Sequence, residues 1–233
     1  MKAGVVTFPG SNCDYDVFNI LDNIFDFDTD MVWHKDKTLD DYDLIVLPGG
    51  FSYGDYLRSG AIARFADIME PVIEFANNGG LVLGICNGFQ ILLESNLLPG
   101  AMKVNDNLKF VCKNIKLEVS NNLTPFTNHY NKKEIIDMPV AHGEGNYYID
   151  QNGLNKLKKN NQILLRYKDN SENPNGSLNN IAGICNKDVN VFGLMPHPER
   201  CSEKIIAPNN NDGYRMFTSI INEITNRGDK FAR

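Results

Sequence analysis

Cys86 is the residue whose surroundings point most directly to chemistry. It lies in Gly84-Ile85-Cys86-Asn87-Gly88, after the apolar run Leu81-Val82-Leu83 and before Phe89-Gln90-Ile91-Leu92. A sharp turn from strand into helix brings the residues two before and two after the turning residue close together. Glycine at both places removes the clash. The turn projects the sulfur out of the sheet and sets it at a helix N-terminus, where free N–H groups and the helix dipole favour a thiolate. The N–H of Asn87 can then face an oxyanion. Most cysteines are small buried hydrophobes. The two flanking glycines at a strand end set this one apart as a nucleophile.

A thiol nucleophile needs a base, and Pro196-His197-Pro198-Glu199 offers one. Prolines on both sides of His197 exclude helix and force extended backbone. Residues two apart in an extended chain point the same way, so Glu199 can accept a hydrogen bond from one ring nitrogen of His197. The other nitrogen is left to take a proton from a thiol. An isolated His-x-Glu is commonly a strand end and nothing more; it gains meaning here from Cys86. Leu47-Pro48-Gly49-Gly50 is the third piece, because paired glycines after a strand expose N–H groups that suit the second donor of an oxyanion hole.

The remaining candidates are weaker. His142 lies in the glycine-rich turn Ala141-His142-Gly143-Glu144-Gly145 and is a candidate for a ligand-facing position. His34 and His129 have no partner by sequence and read as ordinary surface or loop residues. Cys13, Cys112, Cys185 and Cys201 read as structural, and no pair has metal-ligand spacing of the CxxC type, so no metal site is expected.

These groups must be positioned by the elements around them. Lys2–Phe8, Asp43–Leu47 and Leu81–Ile85 read as buried strands. The spacing of Val17, Ile20, Leu21 and Ile24 predicts a helix after the first strand. Further helices are expected from about Ala61 to Ala76 and over Asn87–Ser95. Strands alternating with helices and apolar on both faces argue for an α/β fold, a mostly parallel sheet covered on both sides. Ligands bind at the carboxyl ends of such strands, where Gly49-Gly50 and Cys86 lie. The second half changes character. Lys109–Val119, Glu134–Ala141, Gln162–Tyr167, Ile181–Asn186 and Asn190–Met195 read as strands, and helical pattern is scarce until Asp212–Thr225. Asn-rich loops are expected near Asn121–Lys132, Asn152–Asn161 and Asn170–Asn180.

Composition excludes several classes. The 233 residues carry a formal net charge of −6, with 42% hydrophobic and 22% charged residues. That is ordinary for a soluble globular protein, and 1–233 reads as a single domain. The densest basic run, Lys156-Leu157-Lys158-Lys159, reads as a solvated helix face, not the phosphate-neutralising stripe that nucleic-acid binding needs. The start reads straight into a strand with no signal-peptide pattern, and no run of about 18 apolar residues exists, so no membrane span is expected. Five scattered cysteines without an export signal read as reduced thiols in a cytoplasmic protein.

Gly-Ile-Cys-Asn-Gly-Phe-Gln together with a late Pro-His-Pro-Glu resembles the class I (triad) glutamine amidotransferases. Phe8-Pro9-Gly10-Ser11-Asn12-Cys13-Asp14, Pro48–Arg58 and Asn173–Gly183 are similar to one branch of that family. These blocks span almost the whole chain. Members of that branch feed ammonia to a synthetase that converts formylglycinamide ribonucleotide to formylglycinamidine ribonucleotide in purine synthesis. The resemblance implies a flavodoxin-like three-layer sandwich with an added β-rich C-terminal half. It implies that Cys86, His197 and Glu199 form a catalytic triad hydrolysing glutamine through a γ-glutamyl thioester. Backbone N–H groups of Gly50 and Asn87 would hold the oxyanion. Gln90, and more loosely Gly143 and Gly145, would contact substrate. No cofactor is implied in this chain. ATP and magnesium would sit in a separate large synthetase subunit, accompanied by a small bridging subunit. Two other readings compete: a peptidase or stress protein of related fold, which would not need Gln90 or the late His-x-Glu, and a non-catalytic module, which would have no reason to keep Cys86, His197 and Glu199 together.

Overall fold

Short runs of Val, Ile and Leu form the centre of the sheet. The computed structural model describes residues 1–39, 41–207 and 210–231, with side chains described to 227. In chain order the elements are β1 (Lys2–Thr7), α1 (Asp14–Asn19), β2 (Asp28–Trp33), β3 (Leu44–Leu47), α2 (Met69–Asn77), β4 (Leu81–Ile85), α3 (Asn87–Glu94), β5 (Ala101–Lys103), β6 (Val111–Val119), β7 (Ile135–His142), β8 (Asn146–Tyr148), α4 (Gln151–Lys159), β9 (Ile163–Tyr167), β10 (Ile181–Cys185), β11 (Val191–Leu194) and α5 (Asp212–Phe231). Every residue of β3, β4, β10 and β11 is buried, so the middle of the sheet is covered on both faces.

Nine strands form one sheet in the order β2-β1-β3-β4-β11-β10-β9-β6-β7. Strands β2, β1, β3, β4 and β11 are parallel. This is the flavodoxin-like order, with β11 in the place of a fifth strand. The β-rich half continues the same sheet through antiparallel pairings of β10, β9, β6 and β7. Strand β11 comes late in the chain yet lies directly beside β4, with Gly193 opposite Gly84 and Leu194 opposite Ile85. Parallel neighbours end together, so whatever follows β11 emerges beside whatever follows β4. On the other side of β4, Leu47 at the end of β3 lies opposite Gly84.

Two expectations about the elements need correction, and one strand was not anticipated. The single helix over Ala61–Ala76 is two pieces, a 3-10 turn at Ala63–Phe65 and α2 from Met69. Pro71 is the reason. Inside a longer helix its ring would clash with the turn before it, whereas the first turn of α2 tolerates it. Asn152–Asn161 is not a loop. Most of it is α4, started by Asp150, whose side chain accepts from Gly153 N–H at 2.6 Å and caps the helix. Leu154 and Leu157 are its buried face, and Lys156, Lys158 and Lys159 crowd its last turn, where positive charge suits the helix dipole. Strand β2 was missed because it is an edge strand of mixed polarity, buried at Thr29 and Val32 alone.

Candidate active site

The backbone of Cys86 adopts φ 50°, ψ −102°, a conformation that strains any residue with a side chain. It is held by pairing on one side and helix on the other. Cys86 N–H donates to the Leu194 carbonyl at 2.7 Å, and its own carbonyl accepts from Gln90 N–H at 3.2 Å. Helix α3 behind it is buried from Asn87 to Leu93, so the turn cannot relax into solvent. The glycines do what their spacing implies. A methyl group on Gly84 would lie 2.8 Å from the Gly88 carbonyl carbon.

His197 and Glu199 are each 1% exposed. His197 Nδ1 and Glu199 Oε1 are 2.6 Å apart. Burial by itself pushes the imidazole down. The Glu199 charge, and then the Cys86 and Cys13 sulfurs, outweigh it and hold the imidazole well above its ordinary value. The pairing of β11 with β4 delivers this pair to Cys86. Strand β7 completes the surroundings although it lies four strands away from β11 in the sheet. His197 N–H donates to the Pro139 carbonyl at 2.9 Å, and the Cys86 thiol points at the Ala141 carbonyl at 3.7 Å. The antiparallel end of the sheet therefore curls back over the carboxyl ends of its parallel half.

A cleft of about 140 Å³ opens on Cys86, lined by Gly50, Phe51, Asp55, Ser59, Gln90 and the turn Ala141–Glu144. Its size suits an amino acid, well below the ~300–1,000 Å³ that drug-sized ligands occupy. Gly50 has φ +141°, and a side chain there would run into Ser11 and Asn12; its loop is pinned by Phe51 N–H donating to the Gly10 carbonyl at 2.9 Å. Asn87 begins α3, so its N–H is one of the helix's unpaired donors. Its carboxamide ties the site together, accepting from Ser52 N–H at 3.1 Å and donating to Gln90 Oε1 at 2.9 Å and to Asp55 Oδ1 at 3.3 Å.

Of the residues singled out from sequence, Cys86, His197 and Glu199 converge, Gly50, Gln90 and Gly143 line the same cleft, and Asn87 lies behind it, hydrogen-bonded to Asp55 and Gln90. Gln90 Nε2 donates to the Glu144 carbonyl at 2.6 Å, so it also fixes the turn opposite. Gly145 is not at the cleft. It lies behind His142, its N–H donating to Asn105 Oδ1 at 2.9 Å. His34 is not a surface residue; it is buried, with Nδ1 2.7 Å from the Tyr53 hydroxyl. Among the cysteines read as structural, Cys185 and Cys201 are buried, and burial pushes both thiols up to about 12. Cys112 is exposed. Cys13 is different, because its sulfur lies beside His197. Sequence reading also missed the two acids of the cleft. Burial, and the neighbouring Glu144 charge, push Asp55 up to about 6. Both acids sit inside the glycine-rich segments that drew attention, but nothing in their spacing tells that they face each other.

His142 carries a testable consequence. Its residue is 3% exposed, and burial, then the His197 charge, lower it from 6.5 to about 4. The unfolded chain therefore binds this proton more readily than the folded one between those values. Stability is fully present above pH 6.5 and is lost as pH falls toward 4, by about 3 kcal/mol in all and about 2 kcal/mol by pH 5. Urea unfolding of His142→Asn at pH 7.5 and pH 5 should show a loss smaller than that of the wild type by about 2 kcal/mol. Equal losses in the two proteins would mean that His142 is already charged in the fold.

Comparison with known proteins agrees with this geometry. Residues 1–222 match the family of CobB/CobQ-like glutamine amidotransferase domains. A phosphoribosylformylglycinamidine synthase subunit PurQ from Moorella thermoacetica is 55% identical over 227 residues, 95% of each chain. A chain in the structure of PurLQS from Thermotoga maritima superimposes with a TM-score of 0.86 at 48% identity, covering 96% of this chain and 98% of that one. The glutaminase domain of Trypanosoma brucei CTPS, solved with bound acivicin, shares the fold at a TM-score of 0.61 and 14% identity, over 96% of this chain and 94% of that one.

Proposed function

The chain belongs to the family of CobB/CobQ-like glutamine amidotransferase domains, and from that premise we propose that it is the glutaminase subunit of phosphoribosylformylglycinamidine synthase. The observation that carries the chemistry is the buried His197–Glu199 pair, 2.6 Å apart, brought beside the strained Cys86 by the pairing of β11 with β4. The 55% identity to a PurQ subunit supports the pathway.

In this reading the Cys86 thiolate attacks the side-chain amide carbon of glutamine, and N–H groups of Gly50 and Asn87 take the charge that develops on oxygen. The protonated His197, held by Glu199, gives its proton to the departing nitrogen, and ammonia leaves. The γ-glutamyl thioester is then attacked by water, from which His197 takes a proton, and glutamate is released. Asp55 and Glu144 put negative charge at the cleft beside Gln90, where it suits the α-ammonium of the amino acid. Ammonia is useful only if consumed before it escapes, so the partner is a large synthetase subunit, with a small bridging subunit beside it. The Thermotoga structure superimposed on this chain is named for three components. ATP and magnesium belong to the synthetase, and no cofactor is assigned to this chain. The site is cytoplasmic, where the substrates of purine synthesis are; among the described residues no helix is long and apolar enough to cross a membrane.

A glutamine-analogue electrophile should label Cys86 and no other cysteine, read by peptide mass spectrometry. Label on Cys13 or Cys185 instead would sink the mechanism. Affinity capture from the source cell should recover a large ATP-dependent synthetase. Recovery of a synthetase of another pathway would overturn the assignment while leaving the glutaminase chemistry intact.

A further inference from the structure

The Cys13 sulfur, a ring nitrogen of His197 and a carboxylate oxygen of Glu199 lie within 4.8 Å of one another, and all three residues are buried. They come from opposite ends of the chain. Cys13 follows β1, and its N–H donates to the Gly49 carbonyl at 3.3 Å, which holds the turn against the end of β3. The Cys13 sulfur accepts from Arg200 Nη2 at 3.0 Å and donates to Asn12 Oδ1 at 3.1 Å, and no bond of the glutaminase reaction is made or broken at it. Two polar atoms of the same cluster have no hydrogen-bond partner, His197 Nε2 and Glu199 Oε2. Thiolate, imidazole and carboxylate are all donors that a tetrahedral zinc ion takes, with the fourth position left to water.

We propose that Cys13, His197 and Glu199 form an inhibitory binding site for a thiophilic divalent cation, zinc in the first instance. On binding, the Cys13 thiol gives up its proton to solvent and the imidazole its extra one. Whichever ring nitrogen takes the metal, the base is lost. Metal on Nε2 uses the lone pair that would accept the Cys86 proton. Metal on Nδ1 leaves the remaining ring proton on Nε2 and breaks the link to Glu199. Zinc thus blocks the triad without needing the nucleophile.

The test uses the full chain with Cys112→Ser, which removes the exposed thiol, and cobalt(II) as a spectroscopic stand-in for zinc. With Cys86→Ala added, the chain should still bind one equivalent of cobalt with a thiolate-to-metal charge-transfer band, displaced by zinc. Adding Cys13→Ser should abolish the band and weaken zinc binding by at least about tenfold. Circular dichroism checks that this variant folds, and Cys13→Ala repeats the measurement with a different side chain. In an active enzyme, zinc should inhibit glutamine hydrolysis, and Cys13→Ser should raise the inhibition constant by the same factor relative to its own zinc-free rate. A band that disappears with Cys86→Ala and survives Cys13→Ser would overturn the proposal, since zinc would then be poisoning the nucleophile alone. No band in any variant would overturn it as well.

Discussion

In Cys86→Ala protein, release of glutamate from glutamine is expected to fall by about four orders of magnitude or more, because covalent catalysis loses its nucleophile and the rest of the triad has nothing to act on. The fold should survive. The thiol makes one weak contact, with the Ala141 carbonyl at 3.7 Å, and the backbone anchor to the Leu194 carbonyl is untouched. Thermal unfolding should therefore change little while activity disappears. Cys86→Gly sharpens the test. Glycine relieves the strain of φ 50°, so this variant should be at least as stable as the alanine protein and equally inactive. A coupled glutamate assay on the assembled enzyme reads the rate. A residual rate above about one per cent of wild type would remove Cys86 from the chemistry.

Gly88→Ala is the stability counterpart. The new methyl would run into the Leu47 carbonyl oxygen and lie 2.6 Å from its carbon. Both are backbone atoms at the end of β3, in the middle of the sheet, so neither can swing aside as a flexible side chain would. Relief requires α3 to move away from β3 and β4, which carries Cys86 with it. A cost of at least about 3 kcal/mol is expected, and a chain of this size should lose roughly 6–12 °C in melting temperature. Gly143→Ala is the control, since its methyl would meet only Phe110, at 3.8 Å. Similar losses in both variants would mean that the close approach of α3 and β3 does not constrain the turn.

Much of the site was legible because its geometry is local. The glycines around Cys86 mark a turn that only such residues allow, and the prolines around His197 dictate an extended backbone on which Glu199 shares its side. Both are rules about residues one to four apart. The strands β3, β4 and β11 were legible for the same reason, as each is a short apolar run buried on both faces. Errors fell where local signal is weak or overridden: the edge strand β2, the Pro71 break, and α4, whose asparagines mask a capped amphipathic helix.

The sequence by itself determined the nucleophile, its base and the base's orienting carboxylate, each within its own segment. Only the tertiary structure decided that they meet. A late strand, β11, inserts beside β4 so that two turns distant in the chain emerge together, and the curling of the antiparallel half brings Ala141 and Glu144 over the sulfur. The same closure set Cys13 beside His197 and brought Asp55 and Glu144 to one cleft. Sequence periodicity describes one element at a time. Which strand ends coincide depends on pairing across the whole chain, and that depends on how all the apolar faces are buried at once.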